Sequence, residues 1–206
     1  TAMHLVGKKI IISMLENLNK YDIILASGSP RRRELLSGLG LPFRVSTLSD
    51  IDESYPADMP ADDVAEFLSH KKAEAYLKNL GDDQLIITAD TVVVCGKEVI
   101  GKPADAEDAR RMLKRLSGNV HHVVTGVTVT TKQKTVSFST ITEVSFAILS
   151  DDEISYYISH YQPFDKAGAY GIQEWIGFVG VEGITGSYFN VMGLPIQRLY
   201  QVLKNF

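Results

Sequence analysis

The chain has 206 residues, 45% of them hydrophobic and 22% charged, and carries a formal net charge of -4. That is ample for a sizeable core, gives no sign of disorder, and excludes the overall basic character of a general nucleic-acid binder. With one cysteine, Cys95, no disulfide framework can form within the chain, which suits a reducing compartment such as the cytoplasm; no run approaches the ~18 apolar residues of a membrane span.

Residues 1–13 include Lys8-Lys9 ahead of Ile10-Ile11-Ile12. The apolar stretch is too short for a signal peptide and no small-residue cleavage site follows. Residues 1–20 therefore read as an N-terminal extension or a cloning remnant, with Met14 as a natural start, and residues 21–206 as a single domain. Residues 21–25 read as a buried strand. Leu25-Ala26-Ser27-Gly28-Ser29-Pro30-Arg31-Arg32-Arg33 then passes from strand to helix within four small or restricted residues. Ser29 suits an N-cap and Pro30 the first helical position, where its missing N–H costs nothing. Three arginines in the first turn oppose the helix dipole. An anion there offsets the conflict, because unpaired N–H groups, serine hydroxyls and arginine forks together cradle phosphate. The alternative is a solvated basic turn that happens to begin a helix.

Residues 43–47 alternate like a strand. An acidic loop follows with Asp50, Asp52, Glu53, Asp58, Asp62 and Asp63. A helix begins around residues 60–63, uses Val64, Phe67, Leu68 and Leu77 as its apolar positions, and ends near Gly81; His70, Lys71, Lys72 and Lys78 fall on its outer face. Residues 85–94 form the most apolar segment and predict a strand buried on both faces. Residues 95–98 turn it and Val99-Ile100 returns. Gly101-Lys102-Pro103 leads into a helix with Asp105 near its start, Ala106, Ala109, Leu113 and Leu116 on one side, and Gly118 as its stop. Residues 120–130 and 135–148 form an antiparallel hairpin. Ser150 and Glu153 make a capping box at the start of the next helix. Residues 162–193 read as loops and short strands, and Leu194 onward as a closing helix with Ile196, Leu199, Tyr200 and Leu203 facing inward. Helices and strands that alternate, followed by a hairpin, predict an α/β fold with a mixed sheet and flanking helices.

Asp90 interrupts the apolar strand. A buried carboxylate needs a partner, a metal or an open end of the sheet. It reads either as a metal ligand or general base, or as an aspartate bonded to backbone at a strand bend. Glu53 lies in an acidic loop, and such loops are usually just solvated, but two carboxylates with phosphate oxygens and water suit Mg²⁺. Lys102 is presented between a glycine and a proline. Lys72 lies on a helix, where a solvated face is the plain reading. Gln173 offers an amide donor and acceptor suited to a base edge, or caps a loop. His121 and His122 point to opposite faces of a strand and read as structural. The residue patterns of zinc hydrolases, serine hydrolases and P-loop proteins are missing.

The ordered motifs around these residues resemble the Maf family of nucleotide pyrophosphatases. They are residues 25–32, Ala89-Asp90-Thr91-Val92-Val93, Gly101-Lys102-Pro103, Leu116-Ser117-Gly118 with His122 and Thr125-Gly126-Val127, residues 165–173, and Gly193-Leu194-Pro195. The resemblance runs from about Tyr21 to the C-terminus. It implies a Maf/Ham1 (inosine triphosphatase-like) α/β fold with a twisted sheet and two lobes around a cleft, often as a homodimer. It also implies cleavage of a nucleoside triphosphate to the monophosphate and pyrophosphate with a divalent cation, Mg²⁺ or Mn²⁺. The branch acting on dTTP and UTP is the closer, on Arg31-Arg32 and Gln173; the branch acting on 7-methyl-GTP typically has tryptophan after the proline and an acidic residue at the later position. Carried over by motif, Ser27, Arg31, Arg32, Lys72 and Lys102 hold the triphosphate. Glu53 binds metal, with Asp52 close enough to compete. Asp90 binds metal or activates water, and Gln173 sits in the substrate pocket. Arg33 has no counterpart and is expected in solvent. Glu174 stands where the family commonly has glycine. A non-catalytic nucleotide-binding regulator of cell division is the other reading the family permits.

Overall fold

A computed structural model describes residues 14–49 and 51–206; residues 1–13 and Asp50, and the expectations placed on them, lie outside it. Seven strands form one mixed sheet: β1 (Asp22–Leu25), β2 (Arg44–Val45), β3 (Gln84–Cys95), β4 (Glu98–Ile100), β5 (Val120–Thr130), β6 (Thr135–Phe146) and β7 (Val181–Thr185). The order is β2-β1-β3-β5-β6-β7, with β4 also on β3. β1 runs parallel to β2 and β3; every other pairing is antiparallel. The helices are α1 (Pro30–Ser37), α2 (Val64–Leu77), α3 (Ala106–Leu116), α4 (Asp151–Tyr161), α5 (Trp175–Gly180), α6 (Tyr188–Met192) and α7 (Ile196–Lys204).

Helix starts follow their caps. Ser29 Oγ accepts from Arg32 N at 3.4 Å with Pro30 at the first position, Asp105 Oδ1 accepts from Asp108 N at 2.8 Å, and Ser150 with Glu153 closes the expected capping box. Each cap satisfies donors that the first turn cannot pair internally, and its loss costs about 0.5–2 kcal/mol.

β3 organises the molecule because it changes partner on one edge. Its first half pairs with β1 as far as Ile87, whose carbonyl also accepts from Ala26 N at 2.9 Å. Its last residues pair with β4 from Val93 onward. Between them no strand covers that edge among the described residues, while β5 covers the opposite edge from Ile86 to Val94. Alternation then divides the side chains. On one face, Leu85, Ile87 and Ala89 enter a core with β1, α1 and α7, and Val93 and Cys95 enter a second core with α3 and α4. These two cores are the lobes, and the uncovered stretch of β3 lies where they meet. On the other face Val92, Val94 and Val124 pack beneath α2.

Three expectations need correction. Residues 14–20 are not apart from the folded unit: Leu15 and Leu18 are buried in the first core and Asn17 Nδ2 donates to Leu203 O at 2.9 Å. The strand expected over residues 43–47 shrinks to Arg44–Val45, which pair with Ile24 and Leu25 at the end of β1. Residues 162–193 hold two short α-helices and a single 3-10 turn, Ala167–Ala169, besides strand β7. These helices carry too few turns for a periodic signal. α6 is fixed instead by its N-cap Ser187 and by Asn190, whose amide donates to Val123 O and Thr142 Oγ1 at 3.0 Å each.

Candidate active site

Asp90 lies in the uncovered stretch of β3, in register with Gly126 of β5. Side chains opposite each other on a sheet share a face, so Asp90 points toward α2. The glycine makes that approach close: a Cβ at position 126 would lie 2.2 Å from Ala65 O. Ser69 and Thr88 fix the contact, Thr88 Oγ1 donating to Ser69 O at 2.7 Å and Ser69 Oγ meeting Thr128 Oγ1 at 2.9 Å. One turn further along, Lys72 reaches Asp90 Oδ1 and, at 2.9 Å, Glu53 Oε1. Lys72 is therefore not on the outer face of its helix. Its spacing gave the signal: Val64, Ala65, Leu68, Ser69, Lys72 and Ala73 form one stripe at helical intervals, and weighting Phe67 as a core position hid it.

The two neighbouring acidic residues separate. Asp52 turns away from the cleft and is held by Lys71 Nζ at 2.7 Å and by Ser54 N and Oγ at 2.9 and 2.7 Å. Those bonds hold its carboxyl well below the usual range. Glu53 turns inward. Partial burial works to raise its carboxyl, but the Lys72 ammonium it accepts from, with the charges of Lys102 and Arg32, outweighs this and lowers it. Of the two, Glu53 is the one placed to join Asp90. Among the described residues no three His, Cys, Asp or Glu side chains gather. Two convergent carboxylates are still a fitting donor set for a hard divalent cation that takes its other ligands from phosphate and water.

The arginines divide as the motif suggested, and in one respect differently. Arg33 is exposed. Arg31 lines the cleft with only a 3.9 Å approach to Asp165. Arg32 is almost fully engaged: Nε donates to Gly193 O at 2.8 Å, Nη1 to Ala89 O at 2.9 Å and Ser27 Oγ at 3.4 Å, and Nη2 to Thr91 Oγ1 at 3.0 Å. It thus takes up the carbonyl that the missing strand leaves on β3. Burial lowers its guanidinium from the ordinary value, against the pull of Asp90. Beyond it the hydroxyls form a directed chain. Thr91 Oγ1 accepts from Arg32, so its own proton goes to Thr125 Oγ1 at 2.9 Å, and Thr125 in turn donates to Asn190 O at 3.2 Å. Thr91 and Gly193, neither singled out from the sequence as partners of Arg32, join the lobes through this seam.

Two connected chambers flank the seam. The outer one is lined by Ser27, Gly28, Arg31, Glu53, Lys72 and Lys102, among others. The inner one is lined by Val93, Asp90, Tyr170, Ile172, Gln173 and Met192, and Lys72 and Lys102 line both. All eight site residues singled out from the sequence line one or both, Ser27 and Glu53 the outer only, Asp90 and Gln173 the inner only. Lys102 has no bonded partner among the described residues, so Lys102 and Arg31 are the freer cations, Lys72 and Arg32 the engaged ones. Sequence reasoning passed over Lys166, nearly buried beside the inner chamber, its ammonium 2.8 Å from Asp165 and 3.1 Å from Glu174. Glu174 also accepts from the Tyr157 hydroxyl, so it belongs to a network that fixes the loop before Gln173. His121 is structural as expected: it is buried, with Nε2 2.7 Å from the Tyr170 hydroxyl, and burial lowers its imidazole to about 4.

Comparison with known proteins agrees with this geometry. The family model described as Maf-like protein matches residues 22–206. A dTTP/UTP pyrophosphatase of Phocaeicola vulgatus is 60% identical over 191 residues, covering 93% of this chain and 99% of that protein. Those of Parabacteroides distasonis and Porphyromonas gingivalis are 57% and 51% identical, covering 94% of this chain and 100% and 98% of theirs. Among solved structures, a HAM1 protein from Coxiella burnetii aligns at a TM-score of 0.49 and 16% identity over 90% of this chain and 100% of that one. With its motifs, its cleft and its full-length relatives in agreement, the chain belongs to the Maf family.

Proposed function

We propose that this protein hydrolyses dTTP and UTP to the nucleoside monophosphate and pyrophosphate. The observation that carries the reading is the meeting of Glu53 and Asp90 on one ammonium, at the mouth of a chamber ringed by Ser27, Arg31 and Lys102. Carboxylates beside an anion-binding wall suit attack on a phosphoanhydride. The nucleotide preference comes from the relatives, each named a dTTP/UTP pyrophosphatase.

In this reading Arg31 and Lys102 bind the β- and γ-phosphates, and the N-terminus of α1 adds its partial positive charge. Asp90 aligns a water against the α-phosphorus and takes its proton. The bond between the α-phosphorus and the bridging oxygen to the β-phosphorus breaks, and pyrophosphate leaves with its charge offset by these cations. Glu53 and Asp90 would hold Mg²⁺ or Mn²⁺, which when bound supplies further charge neutralisation and a more acidic water. The base enters the inner chamber, where Tyr170, Ile172 and Met192 give apolar walls and Gln173 an amide.

A panel of common and modified nucleoside triphosphates with Mg²⁺ or Mn²⁺ tests this, with monophosphate and pyrophosphate both measured. Turnover is expected with dTTP and UTP. Preference for purine nucleotides, or release of orthophosphate in place of pyrophosphate, overturns it.

A further inference from the structure

Lys72 stands where a metal between Glu53 and Asp90 would stand. Its ammonium donates to one oxygen of each carboxylate. The Lys72 and Asp90 side chains are 16% and 14% exposed, whereas Glu53 is 56% exposed. The lysine and the aspartate are thus the desolvated part of the site, and the glutamate meets them from its more exposed side.

Two carboxylates meeting at one point repel, and a cation between them relieves this. Of the other cations nearby, Lys102 acts on Glu53 through its charge alone, with no bond to either carboxylate, and Arg32 and Lys71 are engaged elsewhere. Arg32 spends its donors on Gly193 O, Ala89 O, Ser27 and Thr91, and Lys71 is held by Asp52 and Ser54. The helix is held in place against the sheet, because Thr88 Oγ1 donates to Ser69 O at 2.7 Å and Ser69 Oγ meets Thr128 Oγ1 at 2.9 Å. Only the four-carbon stem can swing, and an ammonium is a compact charge suited to exchanging one oxygen ligand for another. A divalent ion arriving alone would have to displace Lys72 within a cleft already lined by Arg31, Arg32 and Lys102. Polyphosphate changes that balance, since it brings negative charge and offers Lys72 new oxygens.

We propose that Lys72 is an internal placeholder for the divalent cation: it bridges Glu53 and Asp90 in the free enzyme and moves to a substrate phosphate on binding, so that metal binds well only together with the nucleotide. This rests on the metal-site reading above and deepens it. By linkage, metal and polyphosphate then strengthen each other's binding.

The test is Mn²⁺ binding in the absence of any nucleotide, followed by calorimetric titration and by the rise in melting temperature. The proteins are the wild type, Lys72→Met, Lys72→Arg and the double variant Lys72→Met/Asp90→Asn. Circular dichroism confirms that each is folded. Lys72→Met is expected to bind Mn²⁺ more tightly than the wild type, on the order of 5–150-fold, the usual span of coupling between ligands. It should also gain more in melting temperature from Mn²⁺. Lys72→Arg, which keeps the charge, should stay weak, and the double variant should lose the gain. Equal or weaker Mn²⁺ binding by Lys72→Met overturns the proposal, as does a gain that survives Asp90→Asn. Because no turnover is measured, a placeholder can stand while the dTTP and UTP reading fails, and the reverse.

Discussion

Asp90 and Gly126 face each other across the β3–β5 ladder, and the side chain the glycine lacks is what lets α2 carry Lys72 to the aspartate. The geometry of the candidate site thus depends on a residue with no functional group. In Gly126→Ala the new Cβ would sit 2.2 Å from Ala65 O, so the helix has to shift. We expect a stability loss of about 1–3 kcal/mol by urea unfolding. Pyrophosphate release should fall more than that loss explains, because Lys72 moves with the helix. Full activity would show that α2 can be displaced without consequence.

Asp90→Asn keeps the shape and removes the charge. If Asp90 aligns or deprotonates the water, the barrier rises by about 2.7–4 kcal/mol, a fall of two to three orders of magnitude in turnover with the circular dichroism unchanged. Near-normal release of pyrophosphate would rule the assignment out.

Adjacent arginines should fail differently. Arg31→Gln removes a cation with one distant partner, so KM for dTTP is expected to rise while the melting temperature holds. Arg32→Gln strips donors from Ala89 O, Gly193 O and Thr91 Oγ1. Its expected loss is about 2 kcal/mol, or ~4–8 °C in melting temperature, along with activity. If Arg32→Gln melts like the wild type, the seam does not join the lobes.

His121 gives a pH signature in stability. Its imidazole falls from 6.5 to about 4 on folding, chiefly through burial, so the unfolded chain binds the extra proton between those values. Stability from this residue is complete above pH 6.5 and is lost as pH drops toward 4, by about 3 kcal/mol in all. Urea unfolding at pH 7, 5.5 and 4.5 should show that slope, and His121→Gln should flatten it. An unchanged slope in the variant would assign it to other groups.

Much of this was legible in the chain itself, for identifiable reasons. Ser29-Pro30, Asp105 and Ser150 with Glu153 are local signals whose partners lie within one turn, so helix starts could be read directly. Residues 85–94 and the 120–148 hairpin declared themselves through length and β-branched content. Asp90 stood out because it breaks an apolar run. What could not be read depends on residues far apart in sequence. Arg32 looks like a free cation until Gly193, 161 positions away, takes its Nε. The inward turn of Lys72 was present as a stripe, but a lysine beside another lysine invites assignment to solvent. Asp52 and Glu53 differ by one position, and only the three-dimensional contacts with Lys71 and Lys72 separate them.

The change of partner along β3 has a consequence for how this protein can vary. Ile87 is tied to β1 and Val93 to β4, so the number of residues between them decides which face each side chain takes. One residue more or fewer in that interval would exchange the sides of Asp90 and Thr91, handing the carboxylate to Arg32 and the hydroxyl to Lys72. Substitution in this interval can change side chains without moving them between faces; a change in their count moves them.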